Sequence, residues 1–287
     1  MRLNVNGNNF CIILVLVLIN ACTKNDIGTI SNLSNGSIAV IGHGGSGIAT
    51  IINPYPWNSW TSITRAIDGY GADGVEVDVQ LSKDDIPILY HDIALESMTN
   101  CDGCIRNVNS GDLENCEYDF DLSFGKEYLI KLEKVLQRYA SYDDPPEIYL
   151  DLRSDNLCDP TIDSYRSELS SAISMIIDRF SAHSFIRIGS NDQTLLNQIA
   201  NLQGTVKVYY QVDNIDLAIP IAVASNYAGL IISGSKASKE QVASAHSMGI
   251  EIVLFGMRSR SKILSALKKH PDAVITDDIN LTISLLY

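Results

Sequence analysis

An alternation of apolar and polar residues between Gly74 and Gln80 is the strongest pattern in the chain. The two alternating sets are Val75, Val77 and Val79, and Glu76, Asp78 and Gln80. A period of two with β-branched residues on one face predicts a β-strand. If the strand were half-exposed, its acidic face would simply contact water.

The residues before this strand favour a buried position instead. The segment Gly71–Gly74 is typical of a helix end followed by a tight turn, and a strand entered from a helix commonly belongs to a parallel sheet covered on both faces. Two carboxylates on one buried face raise each other's pKa. A divalent cation relieves that repulsion, so Glu76 and Asp78 are predicted to bind a metal through oxygen.

A second strand-like segment, Ile86 to Tyr90, follows after only a few residues. Because a parallel crossover needs about a dozen residues or more, this segment is predicted to return antiparallel or to leave the sheet. Either arrangement places the next residue, His91, near the end of the carboxylate strand.

Strand-like and helical segments alternate along the rest of the chain. Strands are predicted near residues 38, 74, 148, 185, 206, 228, 250 and 273, with helices over about 60–70, 128–139, 162–182, 191–202, 213–225, 238–248 and 259–269. Eight parallel strands with intervening helices predict an α/β fold, the TIM (β/α)8 barrel, with residues 86–90 as an extra hairpin arm. Residues 93–125 are irregular and predict a small inserted region after the third strand-like segment.

The N-terminus has the pattern of a targeting segment. Residues 1–21 carry one charge, Arg2, and an apolar run of ten that is too short to span a bilayer. The segment Ile19–Cys22 resembles a bacterial lipoprotein processing site and predicts lipidation of Cys22, with a plain secretory signal or a buried N-terminal strand as alternatives. Residues 23–36 are predicted to be a tether and 37–287 the barrel. The protein is therefore expected to be exported, periplasmic or cell-surface, and to contact a membrane only through its lipid.

The net charge limits the classes of partner, and the cysteines indicate which cross-links the chain can form. A formal net charge of −13 over 287 residues argues against nucleic acid or an anionic membrane as a partner. The cysteines beyond Cys22 in the exported part are Cys101, Cys104, Cys116 and Cys158. An even number favours disulfides, in any of three pairings, and a zinc site is the alternative.

The first predicted strand, Ser37 to Gly42, runs into His43, Gly44 and Gly45. Barrel active sites are built at the carboxyl ends of the strands, which makes His43 a candidate, with a structural histidine as the alternative. Glycine lets a ligand approach backbone N–H groups, so Gly44 is a candidate contact for a phosphate.

Three segments together resemble the glycerophosphodiester phosphodiesterase family, which has a phospholipase C-like phosphodiesterase barrel. They are Gly42–Gly44, Gly71–Gln80 and Ile88–Asp92, beside the family's His-Arg-Gly, Glu-x-Asp and His-Asp. The segment Asp151–Arg153 stands where the family usually has Glu-x-Lys. The resemblance covers nearly all of 38–281 and implies a metal site of Glu76, Asp78 and Asp151, with His43 and His91 as the acid–base pair.

Three positions depart from the family pattern. Gly44 replaces the family's phosphate-contacting Arg, Trp57 replaces the Glu of Pro-Glu-Asn-Thr, and Phe255–Met257 replaces Trp-Thr-x-Asn. Arg153 is expected to contact a phosphate oxygen, which compensates for Gly44. A simple salt bridge between Asp151 and Arg153 is the alternative.

The predicted function is metal-dependent hydrolysis of a small-molecule glycerophosphodiester to glycerol 3-phosphate and an alcohol. Hard oxygen ligands favour Ca²⁺ or Mg²⁺ as the cofactor. One imidazole is expected to deprotonate the nucleophile while the other protonates the leaving oxygen. The alternatives are a phospholipase D- or sphingomyelinase D-like lyase acting on lysolipids, and a barrel that binds a headgroup without catalysis.

Overall fold

Parallel β-strands close into a barrel in this computed structural model, which describes residues 27–119, 125–154, 158 and 161–287. The strands are β1 (Ala39–His43), β2 (Gly74–Leu81), β3 (Pro87–Leu89), β4 (Ile130–Lys131), β5 (Glu147–Leu152), β6 (Ile186–Ser190), β7 (Lys207–Val212), β8 (Gly229–Ser233), β9 (Glu251–Met257) and β10 (Ala273–Thr276). Eight of these described strands are parallel neighbours in the order β1-β2-β5-β6-β7-β8-β9-β10, and β10 pairs with β1. The predicted TIM barrel is confirmed.

Helices connect the barrel strands and cover their outer face. The α-helices are α1 (Trp60–Thr64), α2 (Ser110–Leu113), α3 (Leu132–Tyr139), α4 (Ile162–Phe180), α5 (Gln193–Leu202), α6 (Ile215–Ala224), α7 (Lys239–Ser247), α8 (Arg260–Leu267) and α9 (Ile279–Leu286). A π-helical turn, Arg65–Gly69, continues α1, and short 3₁₀ turns span Leu95–Ser97, Ile105–Asn107 and Ala182–Ser184. Six of the nine α-helices described here begin after a residue whose side chain caps the helix. Asp192, for example, accepts hydrogen bonds from the backbone N–H groups of Thr194 and Leu195.

Strand β2 is buried at every position from Gly74 to Leu81. Its valines pack into the core between the barrel and the helices, whereas Glu76 and Asp78 line a cavity at the carboxyl ends of the strands. A separate cluster that includes Ile41 and Val253 fills the barrel interior below them. The interpretation of β2 as a half-exposed strand is therefore wrong.

The region after β2 forms a small lobe with its own apolar cluster. Strand β3 returns antiparallel to β2, as predicted, and β4 adds to it. The predicted helix over 128–139 begins only at Leu132, because Ile130 and Lys131 pair with β3 instead. Residues of the lobe pack together as Ile88, Tyr90, Leu95, Ile105, Leu113, Cys116, Tyr118 and Leu129.

Among the described residues, one disulfide lies within this lobe and a second joins the lobe to the segment after β5. Cys101 bonds to Cys116, and Cys104 bonds to Cys158, which follows β5. The two cysteines of the Cys-x-x-Cys segment therefore have different partners, which makes the zinc alternative wrong. Closing loops of 15 and 54 residues restricts the unfolded chain.

The part of the predicted tether that is described contacts the barrel. Leu33 donates its backbone N–H to Asp272 at 3.0 Å, and Ile27 and Ile30 pack against the outer core. The predicted signal peptide and Cys22 lie outside the described residues. Among the residues that are described, no helix has the length and apolar character needed to cross a bilayer.

Candidate active site

A cavity of about 260 Å³ opens at the carboxyl ends of the barrel strands. It is lined by His43, Glu76, Asp78, His91, Asp151, Arg153, Gln211, Ile231, Phe255, Gly256, Arg258, Ile275 and Asp277. Six of the predicted site residues are therefore brought together, and Gly44 follows directly after one of them. Cys22 lies outside the described residues.

Three carboxylates converge on one wall of this cavity. Asp78 and Asp151 stand opposite each other in the register of β2 and β5, and each of Glu76, Asp78 and Asp151 has an oxygen within 4.8 Å of the others. Burial, then the neighbouring Asp78, raises the pKa of Glu76 to about 8. Burial also raises the pKa of Asp151 to about 6, against the opposing effect of Arg153. Such a cluster of buried hard oxygens fits a divalent cation.

The raised pKa of Glu76 gives the metal-free protein a pH-dependent stability. The folded state holds a proton that the unfolded chain releases above its ordinary pKa of about 4.5. The free energy of unfolding is therefore expected to fall as pH rises from about 4.5 to about 8. Thermal unfolding in EDTA should show a smaller fall for Glu76→Gln than for the wild type, and equal falls would contradict the assignment.

Asp78 is fixed by side chains from two directions. Asn58 donates its amide N–H to Asp78 Oδ2 at 2.9 Å, and Asn58 Oδ1 accepts the backbone N–H of Asp78 at 3.0 Å. Arg153 donates Nε and Nη2 to Asp78 Oδ1 at 3.1 and 2.6 Å. Arg153 Nη2 also lies 3.5 Å from Asp151 Oδ2. The predicted salt bridge is thus present, and it bridges two carboxylates of the cluster.

His43 is the last residue of β1 and is held by a carboxylate. Its Nδ1 lies 2.7 Å from Asp277 Oδ1, and its Nε2 lies 4.0 Å from Glu76 Oε2. Burial lowers the pKa of His43, but the hydrogen bond to Asp277 and the charge of Glu76 outweigh burial and raise the pKa to about 9. The supported ring presents Nε2 towards the acidic cluster.

His91 has a similar arrangement on the lobe side of the cavity. Its Nδ1 lies 2.6 Å from Asp92 Oδ1. The buried Gln80 amide donates to the backbone carbonyls of Tyr90, His91 and Asp92. Because Gln80 belongs to the carboxylate strand β2, it fixes the position of the histidine relative to the acidic cluster.

Gly44 and Trp57, two of the departures from the family pattern, are in contact. The Trp57 ring centroid lies 5.3 Å from that of His43 and 6.2 Å from that of His91. A Cβ on Gly44 would lie 2.8 Å from Trp57 Cβ, and Gly44 has a φ of +55°. Glycine at 44 therefore makes room for an indole that packs between the two imidazoles. The N–H of Gly44 donates to Glu76 Oε2 at 3.1 Å, so the predicted phosphate contact of Gly44 stays a prediction.

Gly44→Ala is expected to lower turnover by about 10–100-fold, because displacing Trp57 shifts the imidazoles away from a productive geometry. Gly71→Ala is the matched control, since Gly71 has a φ of +70° but a Cβ there meets no atom within 4 Å. Both variants should lose about 1 kcal/mol of stability from the backbone alone. Equal activity in the two variants would show that the space Gly44 leaves for Trp57 is not needed for turnover.

Asp277, Asn58 and Arg258 were missed as functional residues from the sequence. Asp277 directly follows β10, and its contact with His43 spans the closure of the barrel. Asn58 precedes Ser59, the N-cap of α1, and only the fold brings its amide to Asp78. The aspartate partner of the other histidine could be found from the sequence, because Asp92 directly follows His91.

Comparison with known proteins decides the family. The model of the Glycerophosphoryl diester phosphodiesterase family matches residues 52–281, most of the chain. The chain belongs to this family. Glycerophosphodiester phosphodiesterases are phosphoric diester hydrolases, so the predicted enzyme class is confirmed at the level of the family. The matched range contains the carboxylate cluster, His91 and Arg153, whereas His43 precedes it.

The similarity to a curated relative covers only a short part of the sequence. A glycerophosphodiester phosphodiesterase from Caldanaerobacter subterraneus subsp. tengcongensis is 32% identical over 73 residues, which is 25% of this chain and 29% of that protein. The chain thus aligns with less than a third of that relative.

Solved glycerophosphodiester phosphodiesterase-like barrels match over nearly their whole length. An Oleispira antarctica phosphodiesterase in complex with the product sn-glycerol-3-phosphate has a TM-score of 0.73 and 22% identity, covering 89% of this chain and 99% of that one. The glycerophosphodiester phosphodiesterase from Thermotoga maritima has a TM-score of 0.67 and 23% identity, covering 87% and 99%. At these identities the likeness shows the fold alone.

Proposed function

We propose that this chain hydrolyses a glycerophosphodiester to glycerol 3-phosphate and an alcohol. The observation that carries the proposal is the cavity in which a buried cluster of carboxylates lies beside two imidazoles, each supported at Nδ1 by an aspartate. Family membership supports the same chemistry, and the Oleispira antarctica relative was solved with the corresponding phosphomonoester.

Glu76, Asp78 and Asp151 are the proposed ligands of one divalent cation, Ca²⁺ or Mg²⁺. Carboxylate oxygens suit these hard cations. Burial, with the neighbouring charge of Asp78 adding to it, raises the pKa values of Glu76 and Asp151, and a cation would stabilise the charged carboxylates against both effects. When bound, the cation supplies positive charge that stabilises the developing charge on a phosphoryl group. Asn58 and the N–H of Gly44 hold two of the carboxylates in place.

His43 and His91 are the proposed acid–base pair. Because Asp277 and Asp92 occupy the two Nδ1 atoms, proton transfer is assigned to the Nε2 atoms. One imidazole takes the proton of the nucleophile, either water or a neighbouring substrate hydroxyl, and the other protonates the leaving oxygen. Trp57 packs between the two rings and limits their movement.

Arg153 is proposed to contact the phosphate from the cavity wall. Two of its nitrogens are committed to Asp78, and guanidinium carries five N–H donors in total. Arg153 lines both the central cavity and a neighbouring one of about 460 Å³. The N–H donors of Arg153 that do not take part in the salt bridge can therefore donate hydrogen bonds to a phosphoryl oxygen.

We also propose export and lipidation at Cys22. The support is the N-terminal sequence pattern together with the two disulfides, which persist in oxidising compartments. Labelling with a radioactive fatty acid in a bacterial host should be lost in Cys22→Ser. Equal labelling of both proteins would refute the site.

The function is tested with a panel of glycerophosphodiesters and lysolipids, with and without EDTA. We expect release of glycerol 3-phosphate that EDTA abolishes. Phosphorus NMR of the product separates hydrolysis from the lyase alternative, which would give a cyclic phosphate. Binding without turnover of any diester would instead support a headgroup-binding barrel.

A further inference from the structure

Strand β9 contains an irregularity at the rim of the active-site cavity. In its pairing with β10, Val274 stands opposite Leu254 and Thr276 stands opposite Met257. Between these two pairs β10 advances by two residues and β9 by three, so β9 contains one extra residue. One extra residue on one of two paired strands defines a β-bulge. Gly256 lies inside this step with a φ of +82°, a conformation that glycine adopts without strain.

The bulge reverses the alternation of side chains beyond it. Val253 and Phe255 pack towards the barrel interior, while Leu254 packs in the outer core. A regular strand would continue with Met257 inside and the next residue outside. Instead, Met257 is buried in the outer core and Arg258 lines the cavity. The extra residue thus turns a guanidinium towards the acidic cluster and the imidazoles.

Arg258 is less committed to protein partners than Arg153. Its side chain is 68% exposed, and within the described part of the chain it pairs with Asp277, with 3.4 Å between Arg258 Nε and Asp277 Oδ2. The other oxygen of Asp277 contacts His43. Arg258 therefore stands beside a histidine of the site with several N–H donors available for a ligand.

We propose that Arg258 binds the phosphoryl oxygens of the substrate and of the released phosphomonoester. This inference rests on the proposed function, and it names the residue that selects for the anionic group. The cavity wall carries four carboxylates, which repel an anion. A phosphomonoester carries about −1.5 to −2 charges near neutral pH, and the planar guanidinium matches its oxygens in a bidentate manner.

The test compares Arg258→Gln with Arg260→Gln, which removes the same charge two residues away. Arg260 is exposed at the start of α8 and is not among the residues that line the cavity. Calorimetric titration with sn-glycerol 3-phosphate, in millimolar Mg²⁺ and Ca²⁺, should show about 10–100-fold weaker binding for Arg258→Gln. Arg260→Gln should bind within about twofold of the wild type, and Arg258→Lys should recover part of the loss.

The outcomes separate this inference from the proposed function. A loss confined to kcat, with unchanged product affinity, would mean that Arg258 acts only through Asp277, and would overturn the inference. Equal affinities of the two glutamine variants, or no binding of sn-glycerol 3-phosphate by the wild type, would overturn it too. If the wild type turns over no diester yet binds the phosphomonoester through Arg258, the proposed function fails and the anion site stands. Matching unfolding midpoints of both variants exclude misfolding.

Discussion

Replacing either His43 or His91 by alanine is expected to lower kcat for glycerophosphodiester hydrolysis by about 10²–10⁴-fold. Both rings line the cavity that holds the acidic cluster, and both are held at Nδ1 by a carboxylate. Without one imidazole, either the nucleophile keeps its proton or the leaving oxygen departs as an alkoxide. KM should change much less than kcat, since proton transfer belongs to the transition state.

His183→Ala is the control for the histidine variants. His183 follows the end of α4, its Nε2 lies 3.0 Å from Asp178 Oδ1, and it is not among the residues that line the cavity. Its replacement should leave turnover within about twofold of the wild type. The double variant of His43 and His91 should lose no more than the product of the single losses, because the two residues act in one step. Turnover equal to the wild type in that double variant would remove the acid–base assignment.

Loss of the cation is expected to be as damaging as loss of a histidine. EDTA should abolish turnover, and Asp78→Asn should weaken binding of Ca²⁺ or Mg²⁺ by about 100-fold or more, since a buried carboxylate ligand becomes neutral. The amide is nearly the same shape and its oxygen can still accept from Arg153, but its NH2 group cannot accept the hydrogen bond from Asn58. The unfolding midpoint of the variant is therefore measured beside its metal affinity. Calorimetric titration of the EDTA-treated protein with each cation measures the effect.

Asp213→Asn is the matched control for the metal site. Asp213 is 87% exposed and pairs with Lys236 on the same end of the barrel, so the variant loses the same charge without touching the cluster. Its affinity for the cation should stay within about twofold of the wild type. Equal weakening in both variants would mean that the ion binds through general surface charge rather than at Asp78.

Local patterns predicted the carboxylate strand β2 and the barrel fold because the relevant signals lie within short segments. The alternation in β2 and the turn before it were sufficient to place Glu76 and Asp78 on one buried face. Asp151, by contrast, depended on the family resemblance, since nothing local in β5 distinguishes a ligand from a salt-bridge partner. Its register opposite Asp78 arises only when β2 and β5 pair.

Contacts that join distant parts of the chain were beyond local patterns. Asp277 reaches His43 only because β10 closes the barrel against β1, and the disulfide pairing depends on how the lobe folds over the barrel. The bulge at Gly256 changes which face Arg258 occupies. The predicted start of α3 was wrong because it too depends on a contact between separate segments. The apolar residue Ile130 pairs with β3 instead of joining the helix.

The most direct test of the account is anomalous diffraction from crystals grown with Mn²⁺, a cation that accepts the same hard oxygen ligands. We predict one anomalous peak in contact with Glu76, Asp78 and Asp151, in the cavity that His43 and His91 line. An ion bound elsewhere, or three carboxylates that share no ion at saturating Mn²⁺, would contradict the proposed metal centre.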